Sequence, residues 1–468
     1  MSYKTRLTER NSAQSGQAIV LIALAMVALI GVLGMTIDGG GLFFLHRDTQ
    51  NAVDAALIAA AYARCTANPL ESPRPTAYEN RIVTAGLQAA KNDGFGSGLL
   101  ADNGATINGA TVLIEPDYTD PATNRSGYVR AEITAVKPSY FIQLLWPGSL
   151  EVTSSGVARC QRSYLGLLPQ AAIFATRTTS ACNLGNGEAI ANTGTSRIHV
   201  SGDIFSNSQN PDCAIDGRGH STFTVTGACQ TAGTGGFDHD DVACGSYPSA
   251  LSETWPQNPF NDTMDRPACI AGEHPTGNGY APGTYSAWTL HNNDDVFLQP
   301  GLYCFTGEGI KMTGGYLHGD GVLFYFYPAG NGGPSNGGIA MNGGSANLTA
   351  PSNNNCVPGT SAGATCDYTG LHIWKDTTLD TITDSTVQGG GSKNEIHFNG
   401  GAGSSWTGTV YAPATECTVE GNQTATFRGM FVCYSVRGAG GGNQSLNLQI
   451  IYEAPDFLTR NPEVGIAE

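Results

Sequence analysis

Charge is scarce in this sequence: Lys, Arg, Asp and Glu make up 13 % of its 468 residues, and 23 basic against 39 acidic side chains leave a formal net charge of -16. No basic stripe is available to neutralise phosphates, which excludes nucleic acid as a partner. Cysteine is missing from the first 64 residues, and the twelve beyond them form neither a CxxC nor a Cys/His cluster with zinc-ligand spacing. There is no GxxxxGK[ST] phosphate loop, no HExxH, and no strand-linked GxGxxG with an acidic partner. Nucleotide use and zinc-protease chemistry therefore have no motif behind them, and no cofactor is implied.

Glycine, by contrast, occupies 62 positions, and Asn, Thr and Ser crowd the second half. That composition is poor for helices and suits short strands joined by tight turns. The length calls for more than one packing unit. The expected fold is mainly β, with an N-terminal transmembrane α-helix, a small α+β domain, and a β-helix or solenoid-like body; a β-sandwich is the alternative for that body.

Residues 18–37 read AIVLIALAMVALIGVLGMTI, an uncharged run matching the hydrocarbon thickness of a bilayer at helical rise. Residues 1–17 form a basic leader in which Lys4, Arg6 and Arg10 precede the run, and the next basic residue is Arg47. Positive-inside bias places the leader in the cytoplasm and the body outside, in the periplasm or on the cell surface. A cleaved secretory signal is the competing reading, but the run is longer than a signal core and no small-x-small site follows it. Alanine-rich residues 38–64 continue the helix, with Gly39, Gly40 and Gly41 as a point where it can bend. Ala52, Ala55, Ala56, Ala59 and Ala60 offer a small-residue face, either to a neighbouring helix or to the protein's own next domain.

The ordered features of SGQAIVLIALAMVALIGVLGMTIDGGGLFFLHRDTQNAVDAALIAAA carry a resemblance. A basic leader, an apolar helix, an Asp, a hydrophobic turn and a QNAxDAAxxAAA helix follow one another. This order is similar to the N-terminal module of TadE/TadG-like proteins of the Flp (tight adherence) pilus-assembly system, here spanning 16–62. The matching positions are Gly16, Gln17, Asp38, Gln50, Asn51, Ala52, Asp54, Ala55 and Ala56. Prepilin-like members carry a Glu at the fifth position after the processing-site Gly, where this chain has Leu21, so an uncut anchor is implied. Some longer relatives carry a von Willebrand A domain with a DxSxS metal site; this sequence has no DxSxS, and metal-dependent adhesion of that type does not carry over.

After the linker NPLESPRP, residues 65–168 contain a second helix around YENRIVTAGLQAAKNDGFG and the alternating segments ATVLIEP, GYVRAEITAVKP and LEVTSSGVARC. One helix on a small sheet is the natural solution. Tyr140, Phe141 and Trp146 form its apolar edge, or alternatively an interfacial anchor touching the membrane. Residues 169–456 alternate strands of three to six residues with Gly, Asn and Thr turns, the pattern of stacked rungs. Residues 457–468 form a tail. The glycine doublets Gly314-Gly315, Gly343-Gly344 and Gly400-Gly401 read as corners with positive φ. An even cysteine count beyond a membrane segment reads as disulfides in an oxidising compartment. Candidate pairs are Cys65 with Cys160, Cys356 with Cys366, and Cys417 with Cys433; buried free thiols are the alternative.

Catalysis on a β-helix needs carboxylates and bases clustered on neighbouring strands. Lys311, Glu395, Glu416, Glu420 and Arg428 fall on separate segments, and His199, His318 and His397 sit beside strand ends, so structural roles are expected for all of them. The run Asp238, His239, Asp240 and Asp241 is a weak metal candidate without EF-hand spacing, and Asp294 with Asp295 is weaker. The reading is a non-catalytic, single-pass membrane component of a Flp/Tad-type pilus-assembly or surface-adhesion system, its partners the lipid bilayer and other pilin-like or Tad secretion subunits. The alternative is a surface glycan-binding or polysaccharide-degrading β-helix protein.

Overall fold

The structure is a computed structural model that describes residues 15–66, 76–95, 104–107, 110–120, 125–141, 150–161, 168–178, 188–233, 242–247, 254–261, 264, 266–269, 279–328, 337–356, 361–379, 381–383, 395–400, 403–421, 424–440, 447–455 and 463–467. The chain divides into two compact units, one of Met1–Tyr118, Gly127–Cys160 and Glu463–Glu468, the other of Thr119–Ser126 and Gln161–Pro462.

In the first unit, α1 (Ser15–Thr66) is one helix of 52 residues, about 78 Å long at helical rise. The helix is unbroken at Gly39–Gly41, because long apolar and alanine-rich stretches on both sides favour it and outweigh roughly 1 kcal/mol per glycine. Its second half packs with α2 (Thr76–Asn92) over a sheet of β1 (Gly104–Ile107), β2 (Ala110–Asp120), β3 (Arg125–Lys137) and β4 (Leu150–Gln161). The strand Glu463–Ala467, in the stretch read as a tail, adds a fifth strand beside β4. The pairs β1/β2 and β3/β4 are antiparallel.

Helical and strand periodicities meet in one core. Ala52, Val53, Ala56, Leu57 and Ala60 from α1, and Ile82, Leu87 and Ala90 from α2, are buried against Val112, Ile114, Val129, Ala131 and Ile133. The small face of α1 thus serves internal packing. A methyl group at Gly156 of β4 would come within 2.8 Å of Leu57, so glycine there lets strand and helix approach closely.

The second unit holds a twenty-stranded sheet among the described residues, and its registers run parallel. The solenoid reading requires that parallel register; an antiparallel sandwich does not supply it. Three strand positions recur along the chain. At the first, Tyr303, Phe324, Ile373, Val410, Phe431, Ile173 and Ile204 are register partners in succession, all buried in one core. At the second, Ile310, Ile339, Ile396, Cys417, Val436, Ile190 and Ile215 follow one another in the same way. At the third, Leu348, Trp406, Phe427, Ile450, Val200 and Val225 do so. Like stacks on like at the spacing of paired strands, about 4.8 Å. Gly315 and Gly344 occupy successive corners at φ +83° and +88°; Gly401 lies outside the described residues.

The stacking order is not the chain order. The 431–451 layer, late in sequence, pairs with the 173–201 layer that begins the body: Phe431 with Ile173, Val436 with Ile190, Ile450 with Val200. From there 204–231 continues the stack on one side, and 409–428 precedes it on the other. The body is wound from its middle.

Between the two arms in sequence, residues 254–261, 264 and 266–269 form a strap along the outside of the first strand position. The outward side chains there, Cys304, Tyr325, Trp374, Tyr411, Val432, Phe174 and Phe205, form a second core with Phe260 and Met264 of this strap. Phe260 stacks on Tyr411 with ring centroids 3.9 Å apart. Trp255 exchanges two hydrogen bonds with Asn207, and Gln257 donates to the carbonyls of Thr176 and Ile382. The strands Val322–Phe326 and Leu371–Lys375 are consequently buried on both faces, whereas Asp295–Leu298 and Asn447–Ile451 alternate.

Disulfides join Cys65–Cys160, Cys229–Cys244, Cys269–Cys304, Cys356–Cys366 and Cys417–Cys433. The first ties the end of α1 to β4, and the third fixes the strap.

Candidate functional site

The module around α1 has two environments. From Ile19 to Ile37 the large apolar side chains are exposed, and this is the one helix among the described residues long and apolar enough to cross a membrane. Beyond it the helix becomes part of a folded unit. Asp38 stands at the change: it is 3 % exposed, and its carboxylate oxygens accept the backbone N–H groups of Tyr140 and Phe141, each at 2.9 Å. Thr49 is buried with its hydroxyl 2.7 Å from that of Ser154, and Gln50 donates to Asp54 one turn on. Arg64, also buried, donates to the carbonyl of Pro116. Asn51 is exposed; Gly16 and Gln17 lie in the first turn of α1, and the Gln17 side chain is outside what the structure describes.

In the body, two ionisable groups stand out that the sequence left scattered. At the strap, Asp376 is 2 % exposed; it accepts Arg266 Nε at 2.6 Å and the Tyr325 hydroxyl at 2.7 Å. Burial pushes its carboxyl above the ordinary range, against the pull of Arg266 and Tyr325. The Tyr325 phenol is likewise raised, first by burial and then by Asp376.

The other group lies on the outer side of the second strand position, where Lys311, Ala340, His397, Thr418, Arg437, Ala191 and Asp216 are successive register partners. His397 stands 3.7 Å from Glu395 and 3.6 Å from Glu420. Burial raises the Glu416 carboxyl; Arg437 and Arg177 oppose that rise, and Glu395 and Glu420 add to it. Lys375 is buried and its amine is pushed down to about 7 by desolvation, with Glu395 acting against the shift. A carboxyl raised by burial, with two further carboxyl groups and an imidazole close by, can exchange protons or hydrogen-bond polyol hydroxyls. Glu395, Glu416 and Glu420 are therefore brought together; Lys311 stands two register partners from His397 on the same column, and Arg428 follows Phe427 at the third strand position. The register that unites them depends on how many residues each turn holds, and no local motif reveals that.

The remaining candidates have structural surroundings. His318 pairs with Asp295 at 3.0 Å, and Asp294 accepts the His291 backbone N–H. Asp238, His239, Asp240 and Asp241 lie outside the described residues; among those described, no three His, Cys, Asp or Glu side chains form a group able to hold a metal ion. His372, not singled out by sequence, is fully buried within 2.8 Å of the Val322 carbonyl, and desolvation pushes it down to about 4.

No curated protein matches this chain. A solved structure, the competence-associated pilin ComZ from Thermus thermophilus, aligns over 79 % of this chain and 84 % of its own at 8 % identity, with a TM-score of 0.18, too low to support an argument. Residues 16–63, the helix that carries Asp38, Gln50, Asn51 and Asp54, match the family described as "Putative Flp pilus-assembly TadE/G-like".

Proposed function

We propose that this protein is a membrane-anchored, extracytoplasmic component of a Flp/Tad-type pilus-assembly or surface-adhesion system. The observation that carries the reading is the family match over 16–63, which coincides with the apolar, exposed half of α1 and its continuation into a folded unit. In this reading the leader is cytoplasmic, the anchor stays uncut, and the disulfide-bearing units stand outside, consistent with Lys4, Arg6 and Arg10 preceding the span. The role is non-catalytic, and the partners are pilin-like or Tad secretion subunits. Deleting the gene in its host and imaging the cells by electron microscopy, with a surface-attachment assay, tests it. Loss of filaments or attachment, restored by the intact gene, is the expected outcome; normal filaments and attachment would refute it.

A second reading, a surface polysaccharide-binding or polysaccharide-degrading protein, is favoured by the convergence of His397 with Glu395 and Glu420 beside Glu416. Glycan-array binding lost on Glu416→Gln would support it.

A further inference from the structure

The chain leaving β3 meets α1 at the outer end of the apolar run. Tyr140 and Phe141 direct their backbone N–H groups onto Asp38, and one helical turn earlier Gly34 leaves room for Phe141: a Cβ there would lie 2.7 Å from that of Phe141. Gly34 and Asp38 share a helix face, so residues 138–141 lie along the last turn of the segment read as the membrane span. Tyr140 is 68 % exposed and Phe141 36 %, on a helix whose Phe43 and Phe44 are exposed as well. Exposed apolar side chains thus extend from Ile19 to Phe44, about 39 Å at helical rise, before Arg47 and Asp48 appear as exposed charges. A hydrocarbon core is about 30 Å thick, and the headgroup regions bring the bilayer to roughly 40–45 Å, so this surface reaches from the hydrocarbon well into an interface.

Non-helical backbone at membrane depth is tolerated only where its polar groups have partners. Asp38 supplies that partner for two consecutive amides, and the amides in turn stabilise a carboxylate at a depth where an unpaired one would cost several kcal/mol. We infer that residues 138–141 are a second membrane-contacting element, in which Asp38 clamps the backbone to α1 and Tyr140 and Phe141 enter the interface of the outer leaflet, with bilayer lipid as the partner. Exposed aromatic rings suit that depth, where one part of the side chain is apolar and the other wet. The inference rests on the reading of α1 as a bilayer span and adds to it a contact outside the helix.

A photoreactive benzophenone amino acid placed singly at positions 24, 140 and 297 of the full chain, in vesicles of phosphatidylethanolamine and phosphatidylglycerol, tests it. Lipid adducts are read by mass spectrometry, and Phe297, exposed on the body, supplies the background. Adduct at 140 within a few-fold of that at 24 and at least tenfold above that at 297 is expected. Asp38→Ala should cut the yield at 140 several-fold, and Asp38→Asn, which keeps one acceptor oxygen but turns an NH2 donor toward the second amide, should give an intermediate yield. Adduct at 24 with only background at 140 would overturn the inference and leave the span standing, and an unchanged yield in Asp38→Ala would overturn the clamp. Background at 24 would refute the span itself, and the inference with it.

Discussion

Replacing Arg266 with Met removes the cation from a buried carboxylate while keeping much of the stem's volume. Asp376 is 2 % exposed and would be left with the Tyr325 hydroxyl as its remaining side-chain donor among the contacts described above. Breaking a buried ion pair costs about 3–5 kcal/mol, chiefly because the surviving charge is stranded. Arg266 is itself 37 % exposed, so water already screens part of the attraction and a loss below that range, about 2–3 kcal/mol, is expected. The sign of the pH dependence follows from the carboxyl. Burial already raises Asp376, and losing Arg266 raises it further, so the penalty is largest where the carboxylate is ionised and shrinks as pH falls and the group takes a proton. Urea unfolding of the full chain in detergent, followed through the body's aromatic signal across a pH series, measures it. Asp376→Asn on top of Arg266→Met should recover most of the loss. An unchanged midpoint in Arg266→Met, or a loss that neither pH nor Asp376→Asn relieves, would refute the stranded-charge argument.

Other outcomes are equally direct. Leu24→Asp puts a carboxylate inside the apolar run at a cost of about 2.5–3.5 kcal/mol on insertion scales; membrane fractionation should show release or loss of the protein, and full retention would contradict the span. His372 is held neutral with its folded value near 4, so its stabilising contribution is complete above the ordinary histidine range and is lost as pH falls from about 6.5 toward 4. His372→Phe should flatten the urea midpoint over that window, and a wild-type-like slope would show that another group titrates. Because the 431–451 layer is followed in space by 173–201, a body expressed as 254–452 joined to 172–247 should fold and unfold cooperatively. An unfolded permutant by circular dichroism would mean that the strap must be laid down from its original end.

Several of these features were readable before the structure, for local reasons. A charge-free run of bilayer length reads as a span wherever it sits. The segments YENRIVTAGLQAAKN and GYVRAEITAVK became α2 and β3 because each satisfies its own periodicity. The Gly314-Gly315 and Gly343-Gly344 corners were legible because glycine alone adopts positive φ without strain. The strap was not legible: NPFNDTM has no period, and Phe260 matters only because Tyr411, 151 residues later, stands beneath it. Both-sided burial of VLFYF left a trace in its continuous apolar character, but the trace does not say what covers it, and LHIWK, with His372 and Lys375, carries no such trace.

The sequence by itself determined what depends on neighbours along the chain: an apolar helix long enough to cross a membrane, the helical module with its family likeness, and the β character of the body. Tertiary structure alone decided what depends on register. It set the late layer against the first, gathered Glu395, His397, Glu416 and Glu420 onto one face, and placed Asp38 under two amides more than a hundred residues away. The physical reason is that side-chain direction follows from local φ and ψ, whereas which strand lies beside which is set by burying apolar columns together, a choice made over the whole chain.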